Sequence, residues 1–171
     1  MRSHLLRFCH IIGLINTYTG KVLSVLIVFM SLILTYEVVL RYGFNSPTAW
    51  AHEITCSIFG AYSVLAGGYA LFLNQHIRSD VIYARFSERG KAICDLIAFP
   101  LLVLLLILIF VQGFNMAVSA TLFRETTVTT FRSPIYPVKI CIPLAALLML
   151  LQTLVLAIRN LWLVIKKEEL K

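Results

Sequence analysis

A chain of 171 residues that is 60% hydrophobic and 13% charged, with a mean hydropathy of +0.88, lies far from a soluble domain, which averages about 45–50% apolar and about 25% charged. Its net charge of +7 would suit a nucleic-acid partner if the basic residues formed one stripe. They flank long apolar runs instead, which excludes nucleic acid and marks an integral membrane protein.

In chain order, residues 4–15 place Leu5, Phe8, Ile12 and Ile15 at helical spacing, with His4, Arg7 and His10 on another face. This pattern predicts a short amphipathic helix lying in the membrane surface; a basic loop is the alternative. The run 22–40 is long enough to span, since the hydrocarbon core needs about 18–20 apolar residues. It exceeds the core of a signal peptide, about 7–15 residues, and no small-x-small cleavage site follows it. Asn45-Ser46-Pro47 is a turn signal that ends this helix, and Tyr42 and Trp50 fit as interfacial anchors. A second span is expected over about 54–73, followed by a second, weaker surface segment over 76–90 that mixes Ile77, Val81 and Phe86 with Arg78, Arg85, Glu88 and Arg89. A third span covers about 92–118 and a fourth about 138–158, separated by the Thr-rich connection 123–137, in which Pro134 and Pro137 are expected to stop any helix. Backbone groups inside lipid must be satisfied within the segment, so the spans are helices. The fold expected is an all-α, four-span membrane protein forming one domain over 1–171, with no repeat and no separate soluble domain.

Orientation follows from the placement of Lys and Arg. With the N-terminus inside, the inner segments hold Arg2, Arg7, Lys21, Arg78, Arg85, Arg89, Lys91, Arg159, Lys166, Lys167 and Lys171, while the outer ones hold only Arg41, Arg124, Arg132 and Lys139. Positive charge stays inside, so both termini are expected in the cytoplasm.

Few residues could carry chemistry. Glu37 is the clear ionisable group within a span, and Arg41 follows it at i+4 on the same face. Structural pairing, contact with a partner subunit and ion coupling are all open for it. Glu53 opens the second helix, where a carboxylate complements the helix dipole. With His52, Trp50 and Arg41 it forms either a cap with interfacial anchors or a docking surface. The four cysteines at 9, 56, 94 and 141 contain no C-x-x-C, which leaves out zinc ribbons, redox pairs and haem attachment; they read as small core residues, with a Cys56–Cys141 bridge as the minor alternative. His4, His10, His52 and His76 do not face one another from within two helices, so neither haem nor another metal is expected. Lys91 and Asp95 form a further i,i+4 pair, and Gly67-Gly68 permits close helix packing. Pro100 and Pro143 fall early in their spans, and no span is broken at its middle, as a transporter's substrate site would require. Nothing amounts to a catalytic constellation, and no enzyme is expected.

The stretch from Glu37 through Arg41, Phe44, Asn45, Pro47 and Trp50 to Glu53 resembles the signature across helices one and two of the small membrane subunit, the DctQ-type small permease, of TRAP (tripartite ATP-independent periplasmic) transporters. His76-Ile77-Arg78-Ser79-Asp80 resembles the next family motif. Glu125-Thr126-Thr127 and the segment Ser133-Pro134 through Pro137 and Lys139 to Pro143 resemble the lead into the last helix. One departure is His52, where many relatives carry a second acid beside Glu53. The resemblance implies a subunit of the bacterial inner membrane that packs against the scaffold of a large elevator-type subunit, which takes up an organic acid with sodium after a periplasmic binding protein delivers it. The sodium sites would lie in the large subunit, leaving this chain without a cofactor. It implies that Glu37, Arg41, Trp50, Glu53, Arg124, Glu125 and Lys139 serve the subunit junction or the binding protein, and that His76 and Asp80 order the cytoplasmic side. The competing expectation is a self-sufficient, proton-coupled multidrug exporter, working as a homodimer through Glu37; a membrane quinone or thiol enzyme stands third.

Overall fold

A computed structural model describes residues 2–73 and 88–166. They form four helices, α1 (Arg2–Gly43), α2 (Trp50–Phe72), α3 (Glu88–Leu122) and α4 (Tyr136–Lys166), each containing a stretch long and apolar enough to cross a bilayer. The surface segment expected over 76–90, with His76 and Asp80, lies outside the described residues apart from 88–90, which open α3.

Residues 4–15 are the first turns of α1, which continues without a break through the polar stretch Asn16-Thr17-Tyr18-Thr19-Gly20. Thr17 and Thr19 donate to the carbonyls of Gly13 and Ile15, at 2.8 and 2.9 Å, so the hydroxyls are satisfied inside the helix and need no turn. At 1.5 Å per residue α1 is about 60 Å long, twice the hydrocarbon thickness of about 30 Å. Its packed stripe is Cys9, Ile12, Asn16 and Leu23, whereas Phe8 and Ile15, expected on that face, are exposed. Cys9 and Ile12 pack on Leu151 and Val155 of α4. Pro137, expected to stop a helix, sits in the first turn of α4, where a missing N–H costs nothing.

Helices α1, α2 and α4 pack mutually, and α3 rests on the far side of α4 with little contact elsewhere. Close approach fixes the register. A Cβ on Gly20 would stand 2.7 Å from the ring of Tyr69, and one on Gly113 would stand 2.7 Å from Ile142 Cγ2, so neither interface tolerates a side chain there. Gly67 likewise packs beneath Met149.

Within the trio, Asn16 Nδ2 donates to Gln152 Oε1 at 2.9 Å and to the Ile12 carbonyl at 3.2 Å. Both side chains are buried. Asn16 Oδ1 has no hydrogen-bond partner; a Cβ on Gly68 would lie 3.1 Å from it, so it faces that residue's Cα–H, a weak donor. One polar cross-link thus ties α1 to α4 against a glycine of α2. Replacing either Asn16 or Gln152 by Leu should destabilise the bundle, and the double variant should lose less than the sum of the two. The expected coupling energy is about 0.6–1.7 kcal/mol, read from a double-mutant cycle on unfolding in detergent.

Candidate functional site

A second polar cluster lies at the end of the bundle where α1 passes to α2 and α3 to α4. Asn45 ends α1 in the left-handed region, φ 53°, a conformation its short polar side chain tolerates. Phe44 and Ser46 both donate backbone N–H groups to the Leu40 carbonyl. The turn carries Thr48 back over Glu37. Its backbone N–H donates to Glu37 Oε2 at 3.1 Å, and its hydroxyl donates to the same oxygen. Arg41 Nε donates to Oε1 at 3.0 Å and its Nη2 joins it. These donors fill the roughly four acceptor sites of a carboxylate. Glu37 is 6% exposed, so this is a buried, fully satisfied acid that fastens the turn to α1.

Glu53 does the corresponding work for the second connection with neutral partners alone. It stands in the first turn of α2, and its Oε2 accepts from the Thr127 hydroxyl at 2.8 Å and the Ser133 N–H at 3.3 Å. The connection it holds is a small hairpin. Arg124 ends α3 with φ 45°, the Glu125 N–H reaches back to the Ala120 carbonyl, Thr126 bridges Pro134, and Arg132, φ 50°, completes the turn. Lys139 in α4 forms an ion pair with Glu125 and ties the hairpin to that helix. Thr129 donates to Thr127 and extends the network to the hairpin tip.

Between these two fastenings opens a cleft of about 650 Å³, whose walls include Glu37, Arg41, His52, Glu53, Thr129 and Phe131. Trp50 does not line it; its ring packs on Tyr36, with centroids 6.2 Å apart. Of the site residues expected from sequence, Glu37, Arg41 and Glu53 therefore meet at the cleft, Arg124 shapes the end of α3, Glu125 and Lys139 pair beside it, and His76 and Asp80 lie outside the described residues. Sequence reasoning misses Thr48 and names Thr127 and Ser133 only as parts of a motif, without their tie to Glu53; a Thr-rich loop opposite a carboxylate is the available signal. Cys56 and Cys141 are free thiols. Gly60 packs on Val138, so Cys56, one turn before Gly60, and Cys141, one turn after Val138, are about 10 Å apart along the parallel α2 and α4, beyond disulfide reach. Cys56 Sγ instead lies 3.6 Å from His52 Nε2. At the far end, Asn160 donates to Asp95 at 3.1 Å and joins α3 to α4.

Four long apolar helices closed at one end by the buried Glu37 and the half-buried Glu53 define a multi-pass membrane protein. Residues 30–162 match the family described as tripartite ATP-independent periplasmic transporters, DctQ component. The chain belongs to that family and is thus a small subunit of a TRAP transporter. No curated protein matches it.

Removing the Glu37 carboxylate should free the turn. In Glu37→Ala the Thr48 amide loses its acceptor, and its protection in hydrogen exchange should fall by an amount equivalent to about 1.5–3 kcal/mol, the worth of a hydrogen bond to a charged group. Arg41→Ala leaves both Thr48 bonds and should lower that protection less.

Proposed function

We propose that this chain is the static anchor of the transporter: it packs against the scaffold of the large membrane subunit, which takes up an organic acid with sodium, and its loop end faces the periplasm and the substrate-binding protein. The observation that carries this reading, beside the family match, is the open packing. Only 6% of the most apolar stretch of α3 is buried within the chain, and α3 leans on α4 alone to any extent. A helix so placed offers every face but the one on α4 to lipid and to a neighbouring subunit. The interior, by contrast, is filled by glycine contacts and by the Asn16–Gln152 bond, an arrangement suited to holding shape and poor in material for a substrate path. The basic side chains of the end away from the loops, Arg7, Lys91 and Arg159 among them, support a cytoplasmic location for that end. The exposed Arg7 and His10 on the first turns of α1 support their placement at headgroup level.

The exporter reading requires Glu37 to release and take up protons with its substrate. A carboxylate closed by Arg41 and Thr48 on both oxygens is poorly arranged for that.

Tagging the chain in its host and extracting it in mild detergent should recover a much larger polytopic protein in stoichiometric amount. Deleting this chain should abolish sodium-dependent uptake of the organic acid while the binding protein is still made. A homodimer without a partner, with ligand binding that releases a proton from Glu37, would overturn the proposal.

A further inference from the structure

The cleft at the loop end is graded in polarity along the membrane normal. Leu34 and Val38 flank Glu37, itself closed by Arg41 and Thr48, in the wall along α1, and the charged groups Arg41 and Glu53 stand at the ends of α1 and α2. From Leu34 to Arg41 is about 10 Å at 1.5 Å per residue. The cleft therefore begins apolar inside the hydrocarbon zone and becomes charged where the helices end. Tyr36 and Trp50, packed together beside it, mark the level at which aromatic side chains meet the headgroups.

The two charges differ in how far they are used. Arg41 turns Nε and Nη2 towards Glu37, yet its side chain is 48% exposed, so part of the guanidinium remains open to a further acceptor. Glu53 receives only neutral donors, from Thr127, Thr129 and Ser133. Among the described residues, no Lys, Arg or His nitrogen lies within ion-pair distance of it. One cleft thus presents an open cation and an uncompensated anion above an apolar wall.

We propose that this cleft is a binding site for an aminophospholipid, with the phosphate on Arg41, the primary ammonium on Glu53 and an acyl chain along Leu34 and Val38. A soluble metabolite has no use for the apolar wall, and a purely anionic lipid would set its headgroup against Glu53. A choline headgroup brings the positive charge without an N–H to donate to the carboxylate or to the hydroxyls of Thr129 and Thr130 at the rim. The site needs only a membrane around the chain and is independent of the transport reading.

The test uses the full chain, purified in detergent, stripped of lipid and exposed to equal mixtures of phosphatidylethanolamine, phosphatidylcholine and phosphatidylglycerol, with retained lipid read by native mass spectrometry. Phosphatidylethanolamine should be retained over each of the others by roughly fivefold, the scale of one exposed ion pair. Glu53→Gln keeps an acceptor for Thr127 and Ser133, and hydrogen exchange over 127–133 reports whether the hairpin is intact. In that variant the preference over phosphatidylglycerol should vanish. Val38→Trp, at a half-exposed position, should block the wall and abolish retention of the preferred lipid. Equal retention of the three lipids by the wild-type chain, or a preference unchanged in Glu53→Gln or Val38→Trp, overturns the proposal. So does a photo-crosslinker at Val38 that, in native membranes, captures protein and never lipid.

Discussion

Lipid tails are as apolar as leucine, so helices inside a bilayer gain little by hiding hydrophobic side chains from it, and they associate through close approach and polar links. That constraint explains where this molecule is specific. Gly20 against Tyr69, Gly113 against Ile142 and Asn16 against Gln152 are points at which only one register fits. The setting of α1 against α2 matters most, because it decides which residues of α1 arrive at the level of the first turn of α2. With Gly13 beside Phe72 and Gly20 beside Tyr69, Glu37 and Arg41 arrive at the turn and close it. A slip of one turn would draw Glu37 away from Thr48 and leave Oε2 without its donors, which adds a desolvation cost to the lost packing.

The two carboxylates at the loop end show how the charge of the partners separates a structural group from an available one. Glu37 accepts on both oxygens from a guanidinium, an amide and a hydroxyl, and is closed to anything else. Glu53 accepts only from neutral hydroxyl and amide groups of Thr127, Thr129 and Ser133, which hold the hairpin but leave its charge without a counter-ion. The cleft exists because these groups pull the two connections in different directions, the turn onto α1 and the hairpin onto α2.

The spans, the turn at Asn45-Ser46-Pro47 and the meeting of Glu37 with Arg41 are legible in the sequence, because each depends on neighbours within a few residues. What depends on distance is hidden there. Thr127 and Ser133 lie 74 and 80 residues from Glu53, and no local pattern joins them. Asn16 and Gln152 are 136 residues apart, and Asn16 reads as part of a polar gap between two segments. The unbroken course of α1 escapes the pattern for a related reason: threonines that weaken an isolated helix are harmless when their hydroxyls return to the carbonyl one turn back. The packed face of its first turns is displaced by one residue from the expected one, since the apolar stripe of Phe8 and Ile15 is more hydrophobic than that of Cys9 and Asn16. Packing against α4 selects the second stripe for its smaller side chains and its hydrogen bond.

Unequal helix lengths give the molecule a direction. At the loop end the helices finish at one level, tied by the turn and by the hairpin on Glu53. All surplus length must then emerge at the other end. There α1 continues from Gly13, level with the end of α2, back to Arg2, along α4 through Cys9 and Ile12. At the same end α3 and α4 are clamped by Asp95 and Asn160. This surplus carries Arg7, Lys91 and Arg159, so tilting the bundle far enough to draw it into the hydrocarbon would bury cations at about 2.5–3.5 kcal/mol each by insertion scales. Aromatic residues at one boundary and charged overhang at the other resist displacement in both directions. A bundle built in this way keeps its depth and angle in the bilayer, and that is the mechanical property the proposed anchor role requires.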